Sequence, residues 1–278
     1  MKKLLLLILI LTLTGCTEPK TEPEAAVETI AVTPTVSRCY MGLSSTANIA
    51  KSMHATHDFP GYAHTEITFA AVLVDDDGVI RACAIDGIGA SIPFDATGAL
   101  QAQEHTVFLS KTALGQDYGM HKASPLGTEW YQQAAAFAAH CIGKTAAQIR
   151  GGDVVTSVTI STDHLRYAIL SASENAHTAV TPGSTINLVC RAVMDGSYSA
   201  CIDDGSPGLA RLRSTAVACA SDGTVISCAL ISALPFSAHG RITCDISQNL
   251  SLLSDALYPT AAIAAETAFL LDAAAKSG

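Results

Sequence analysis

Strand-forming residues gather around three Asp-Gly pairs: Asp77-Gly78-Val79-Ile80-Arg81-Ala82-Cys83, Asp195-Gly196-Ser197-Tyr198-Ser199-Ala200-Cys201 and Asp222-Gly223-Thr224-Val225-Ile226-Ser227-Cys228. Each reads Asp-Gly-x-x-x-x-Cys. An Asp-Gly pair between apolar strand formers suits a two-residue type I′ turn, whose central residues both need positive φ, so three β-hairpins are predicted. The first and third are alike further out: Ala71-Val72 matches Ala216-Val217, and Cys83-Ala84 matches Cys228-Ala229. Turns centred on the Asp-Gly pairs place Cys83 opposite Val72 and Cys228 opposite Val217.

A helical period takes over between the hairpins. Ser124-Pro125 offers an N-cap followed by proline at the first helical position. Trp130, Ala134, Phe137, Ala138 and Cys141 then recur on one face, which predicts a helix over 125–141 that stops at Ile142-Gly143. Thr145-Ala146-Ala147-Gln148 reads as a capping box for a short helix. Gly151-Gly152 breaks the chain, residues 154–160 read as a strand, and 163–176 as a second amphipathic helix through Leu165, Ala168, Ile169 and Ala172. A last helix is expected over 261–275, with Ile263, Thr267, Leu270, Leu271 and Ala274 near one face. The fold class that follows is α+β, antiparallel hairpins packed with helices and internally duplicated. A first module covers 37–180, and a shortened repeat covers 184–278.

The N-terminus is of another kind. Lys2 and Lys3 precede an apolar run at 4–13. Such a run is too short to span a bilayer, which takes about 20 residues, and suits a secretory signal. Leu13-Thr14-Gly15-Cys16 resembles the lipobox of bacterial lipoproteins. That resemblance implies a signal peptide over 1–15, acylation of the Cys16 thiol, and a membrane-anchored, extracytoplasmic protein. Residues 16–36, rich in Thr, Pro and Glu, read as a stalk.

Composition narrows the function. With 49% hydrophobic and 15% charged residues among 278, the chain is too apolar for a disordered one. A net charge of −9 leaves no basic field for a phosphate backbone, so nucleic acid is not an expected partner. Of nine cysteines, Cys16 is the expected lipid anchor. The other eight have no Cys-x-x-Cys or His/Cys ligand spacing, which favours packing or disulfide roles. His54, His57 and His64 crowd near Asp58, but Pro60 and Gly61 make that segment a loop rather than a preorganised metal site. Asp75-Asp76-Asp77-Gly78 lacks the alternating ligands of a calcium loop and reads better as a turn. Glu129-Trp130-Tyr131 could line a pocket, although a single Trp at a helix start is more often a core or rim residue. No nucleophile elbow, zinc-protease, Walker or dinucleotide motif is present.

An Asp-Gly hairpin, a helix ending Ile142-Gly143-Lys144, and Asp153-Val154-Val155-Thr156-Ser157 before an Ala-rich helix occur in the order that resembles the FMN-binding domain of bacterial membrane-anchored flavoproteins. The likeness covers about 66–178, with an echo of the hairpin at 210–232. In that family a Thr in the loop before the last helix can carry FMN through a phosphoester. Val154 stands at that position, so the resemblance implies noncovalent FMN, with Gly151, Gly152, Thr156 and Ser157 as cofactor-binding residues. Tyr118-Gly119-Met120 and the Glu129-Trp130-Tyr131 helix start also resemble extracytoplasmic bacterial proteins of unassigned role. Two functions follow. One is a non-catalytic binding or structural module on a flavin-domain-like scaffold, and the other is a noncovalent FMN electron-transfer protein at the cell surface.

Overall fold

The structure is a computed structural model that describes residues 38–246 together with Leu270 and Asp272. The expected signal peptide, Cys16, the expected stalk and the rest of the expected 261–275 helix lie outside the described residues; Leu270 and Asp272 are themselves helical. In chain order come β1 (Cys39–Asn48), β2 (Gly61–Asp75), β3 (Ile80–Phe94) and β4 (Val107–Leu109), then α1 (Lys111–Leu114), α2 (Trp130–Cys141), α3 (Ala146–Arg150) and α4 (Asp163–Glu174). β5 (Thr178–Val180), β6 (Ile186–Met194), β7 (Gly208–Ala220) and β8 (Val225–Phe236) follow. They form two antiparallel four-stranded sheets, ordered β3-β2-β1-β5 and β4-β6-β7-β8. The α+β expectation holds. Each sheet is a three-stranded meander with one short strand beside its first long strand. β4 crosses from the first meander to pair with β6, and β5 returns to pair with β1.

β2 explains the layering. Ile67, Phe69, Ala71 and Leu73 point into a core shared with Leu188, Cys190, Leu212 and Ala216 of the second sheet. Ala70, Val72 and Val74, on the opposite face by the period of two, lie under Trp130, Phe137, Leu165 and Ile169 of the helices. Burial on both faces makes the run 67–74 almost continuously apolar, where a one-sided strand would alternate. At Gly42 a Cβ would collide with the Ala172 carbonyl oxygen, so glycine is what lets α4 lie directly on β1.

The expected capping box at Thr145 and Gln148 is present on α3. α2 begins at Trp130 rather than near 125, because Glu129 caps it, with Gln132 returning to the Glu129 N–H. Ser124 is instead engaged with the Gln133 side chain at 3.1 Å. Residues 154–160 are irregular chain rather than a strand. The buried Gln133 carbonyl accepts from the backbone of Thr159 and Ile160, fixing that chain to α2 with side-chain bonds in place of a strand partner.

Two of the three expected hairpins form, with a different turn. Gly78 donates to the Asp75 carbonyl and Asp75 to the Val79 carbonyl; Gly78 has φ +75, while Asp77 is not left-handed. The loop therefore has three residues, with glycine in the single αL position, and the turn 220–224 repeats it with Gly223 at φ +89. Cys83 lies opposite Val72 as expected, but Cys228 lies opposite Ala216, one residue off. The cause is a bulge in the first hairpin only. There Val74 pairs Ile80 and Leu73 pairs Ala82, leaving Arg81 out; its guanidinium bonds Asp75 at 2.6 Å. Ala220 and Ile226 stand at these places in the second hairpin and cannot form that pair. A one-residue slip exchanges faces, so Cys83 packs under the helices and Cys228 between the sheets. Asp195-Gly196 makes no tight hairpin turn: β6 ends at Met194, and a longer connection leads to its partner β7, with Tyr198 bridging to Leu209 of β7.

The far ends of the two meanders grip each other reciprocally. Ala200 donates to the Gly98 carbonyl at 2.8 Å, and Ala55 to the Gly240 carbonyl at 2.7 Å. Leu100 N–H donates to Ser199 Oγ at 3.0 Å, and Ile242 N–H to His54 Nδ1 at 3.1 Å. Phe94 and Phe236 stack at the centre, 4.4 Å apart and within 7° of parallel.

Candidate functional site

Beyond the helices, the helix-side face of β2 continues through Thr68, Glu66 and His64. Thr68 and Glu66 of this stretch floor a groove of about 420 Å³. The end of β1 contributes Asn48 and the following Lys51, one wall is Tyr118, Met120 and Trp130, and the opposite wall is Ile160, Ser161, His164 and Leu165. Lys111 lies at the bottom, placed there by α1, whose N-cap Ser110 accepts from Ala113 N–H at 3.1 Å.

Lys111 is 4% exposed, unusual for a lysine. Its ammonium contacts Glu66 Oε1 directly and stands 4.5 Å from the Trp130 ring centroid and 5.2 Å from that of Tyr118. Glu66 Oε2 lies 3.4 Å from both Lys51 Nζ and His64 Nε2, and His64 Nδ1 is 2.8 Å from Ser91 Oγ. Burial alone would raise the Glu66 carboxyl. The His64 hydrogen bond and the Lys111 and Lys51 charges outweigh it and hold the pKa near 2, so Glu66 is ionised throughout the physiological range.

The aromatic wall is fixed from beneath. Glu129, fully buried, accepts from Met120 N–H at 3.0 Å and His121 N–H at 3.1 Å and contacts the His121 ring. Burial raises its carboxyl, but these bonds prevail and leave it below the ordinary value. One residue therefore caps α2, which carries Trp130, and ties down the turns that carry Tyr118 and Met120.

A second cavity, of about 500 Å³, is lined by Asp86, Ser110, Thr112 and Cys190, and Leu270 closes on it. Burial outweighs the bonds from Ser110, Gly87 and Thr112 and pushes the Asp86 carboxyl up. The same burial, with Asp86 beside it, raises the Cys190 thiol. The eight described cysteines are free thiols. Cys190 and Cys228 both pair with Ala216 from opposite sides, so two strand spacings, about 9.5 Å, separate their backbones, beyond disulfide reach.

Gly151, Gly152, Thr156 and Ser157 lie exposed on the connection between α3 and α4, and none lines the Lys111 groove. A Cβ on Gly152 would meet nothing within 4 Å, and Val154 is 89% exposed. Asp153 is held by Lys144 at 2.8 Å, with His140 at 3.5 Å. His57 and Asp58 lie on an exposed loop and His64 on β2, so the three histidines are not brought together. Trp130 fills both roles the sequence offers: it is buried in the core beneath the helices and also lines the groove. Glu66 and Lys111 went unrecognised in the sequence because they are 45 positions apart and share no motif.

No family model, curated protein or solved structure matches the chain. Among the described residues no helix is long and apolar enough to cross a membrane.

Proposed function

We propose that this is a lipid-anchored extracytoplasmic lipoprotein whose folded part is a non-catalytic binding module, with the Lys111 groove as its binding site. The observation that carries the reading is a buried ammonium at the floor of an aromatic-walled groove of about 420 Å³, a volume in the range of small-molecule sites. Keeping Lys111 charged out of water requires its Glu66 partner, and proteins rarely bury such a pair where packing alone would serve. A thermal-shift screen of the mature protein against a small-molecule panel tests this. Hits should raise the melting temperature of the native protein and lose their effect when Trp130 is replaced by Ala. A panel without hits, or hits indifferent to Trp130→Ala, refutes the reading.

The second reading is noncovalent FMN and electron transfer at the 151–157 loop. It rests on the order of hairpin, α2, loop and α4, and on Lys144, whose ammonium stands at that loop. The protein purified from its native host should then be yellow and should quench added FMN; a colourless protein that leaves FMN fluorescence unchanged refutes it.

Two further elements belong to the proposal. Anchoring through Cys16 predicts that Cys16→Ala is released from membranes after export, and a variant that stays bound refutes it. The two meanders are proposed to be copies of one module. The common strand order and the reciprocal bonds at Gly98 and Gly240 support this.

A further inference from the structure

The charges and donors around the groove say more about its occupant. The full chain carries −9, yet the groove lining holds two ammonium groups, Lys51 and Lys111, and one carboxylate, Glu66, with His164 as a further nitrogen donor or acceptor. Glu66 is already engaged on both oxygens, by Lys111 on Oε1 and by Lys51 and His64 on Oε2. An ammonium has three N–H donors and no acceptor. For Lys111 one donor goes to Glu66, and the ammonium of this buried side chain otherwise stands over the faces of two aromatic rings. Buried donors call for acceptors, and the excess positive charge calls for one that is negative. Of the rest of the lining, Asn48, Thr68 and Ser161 are polar but uncharged, while the Trp130 and Tyr118 rings with Met120, Ile160 and Leu165 offer an apolar slot beside the cations.

Resting on the binding reading above, we propose that the groove takes a small aromatic oxyanion, a carboxylate or phosphate monoester on a planar ring, with the oxyanion at Lys111 and Lys51 and the ring against Trp130. Lys111 holds the head group from the floor and Lys51 from the rim. Glu66 keeps the Lys111 ammonium in place without cancelling both cations.

Trp130 is the sole tryptophan of the chain, so its emission reports the groove directly. The test is a fluorescence titration with matched pairs: benzoate against benzamide, and phenyl phosphate against phenol. A charge-assisted bond contributes about 1.5–3 kcal/mol, so at least one anion should bind about tenfold or more tightly than its neutral partner. Which anion wins distinguishes carboxylate from phosphate. Lys51→Gln, at the rim, should weaken the anion severalfold and leave the neutral compound unchanged. The double variant Glu66→Gln with Lys111→Met, which removes the pair without stranding a charge, should abolish the preference. Neutral compounds binding as tightly as the anions, with Trp130 responding, would overturn the oxyanion assignment and leave the binding reading standing. Anions that do not change Trp130 emission would overturn the assignment as well, while the panel screen independently decides the binding reading. Should the double variant fail to fold, an anion affinity unaffected by Lys51→Gln overturns the assignment.

Discussion

Replacing Glu66 by Gln deletes the counter-charge of a lysine that is only 4% exposed. Breaking a buried pair from one side typically costs about 3–5 kcal/mol, because the remaining charge is stranded, and that is the loss expected at pH 7. The same site fixes the pH dependence. The Glu66 carboxyl falls from 4.5 to about 2 on folding, and at about 1.36 kcal/mol per pH unit this is a contribution on the order of 3 kcal/mol. Because the folded value is the depressed one, that contribution is complete above pH 4.5 and is lost as pH falls from there toward 2. Urea unfolding followed by Trp130 emission should therefore show a gap between wild type and Glu66→Gln of about 3–5 kcal/mol at pH 7 that shrinks by about 3 kcal/mol toward pH 2, where the wild-type residue is itself about half protonated. Other carboxyls held low by hydrogen bonds, such as Asp75 and Asp222, titrate in both proteins and cancel in the difference. A gap that stays constant from pH 7 to pH 2 would refute the account of Glu66 as the ionised partner of Lys111.

Three other outcomes are expected. Phe94→Ala or Phe236→Ala, each removing a fully buried ring from the stack between the meanders, should cost about 3–5 kcal/mol in denaturant unfolding, and the double variant should lose less than the sum. Gly42→Ala should destabilise by about 1–3 kcal/mol or more through overpacking against α4, whereas Gly143→Ala, whose Cβ would meet no neighbour, should cost only the strain of its positive φ; equal melting temperatures for Gly42→Ala and wild type would contradict the close approach. Burial raises the Cys141 thiol to about 11 and pushes those of Cys83 and Cys190 up as well. Iodoacetamide at pH 8, read by peptide mass mapping, should therefore spare these three in the native protein and label them in urea.

The reading of α4 from Leu165, Ala168, Ile169 and Ala172 succeeded because those positions meet a flat sheet, and burial on one side writes a 3.6 period into the residues themselves. The failure at 154–160 has an equally local origin. Val155, Val158 and Ile160 are partly buried against the helices, but the Thr159 and Ile160 N–H groups bond Gln133, and a side chain 26 positions away leaves no periodic trace. The start of α2 was misplaced because Ser124 is a better cap in isolation than Glu129, while Glu129 had a second task in holding Met120 and His121.

Local sequence determined what depends on residues near one another: the places of the two Asp-Gly turns at 77–78 and 222–223, though not their type, the capping box at Thr145, the faces of α2 and α4, and hence the α+β class. Tertiary structure decided whatever depends on register and on which face meets which. The Arg81 bulge turns Cys83 toward the helices while Cys228 faces the other sheet, although the two lie in matching heptapeptides. The groove is the clearest case. Glu66 on β2, Lys111 on α1 and Trp130 on α2 come together only because the helices stop short of covering β2, and a contact set by the edge of a layer has no counterpart in the order of residues along the chain.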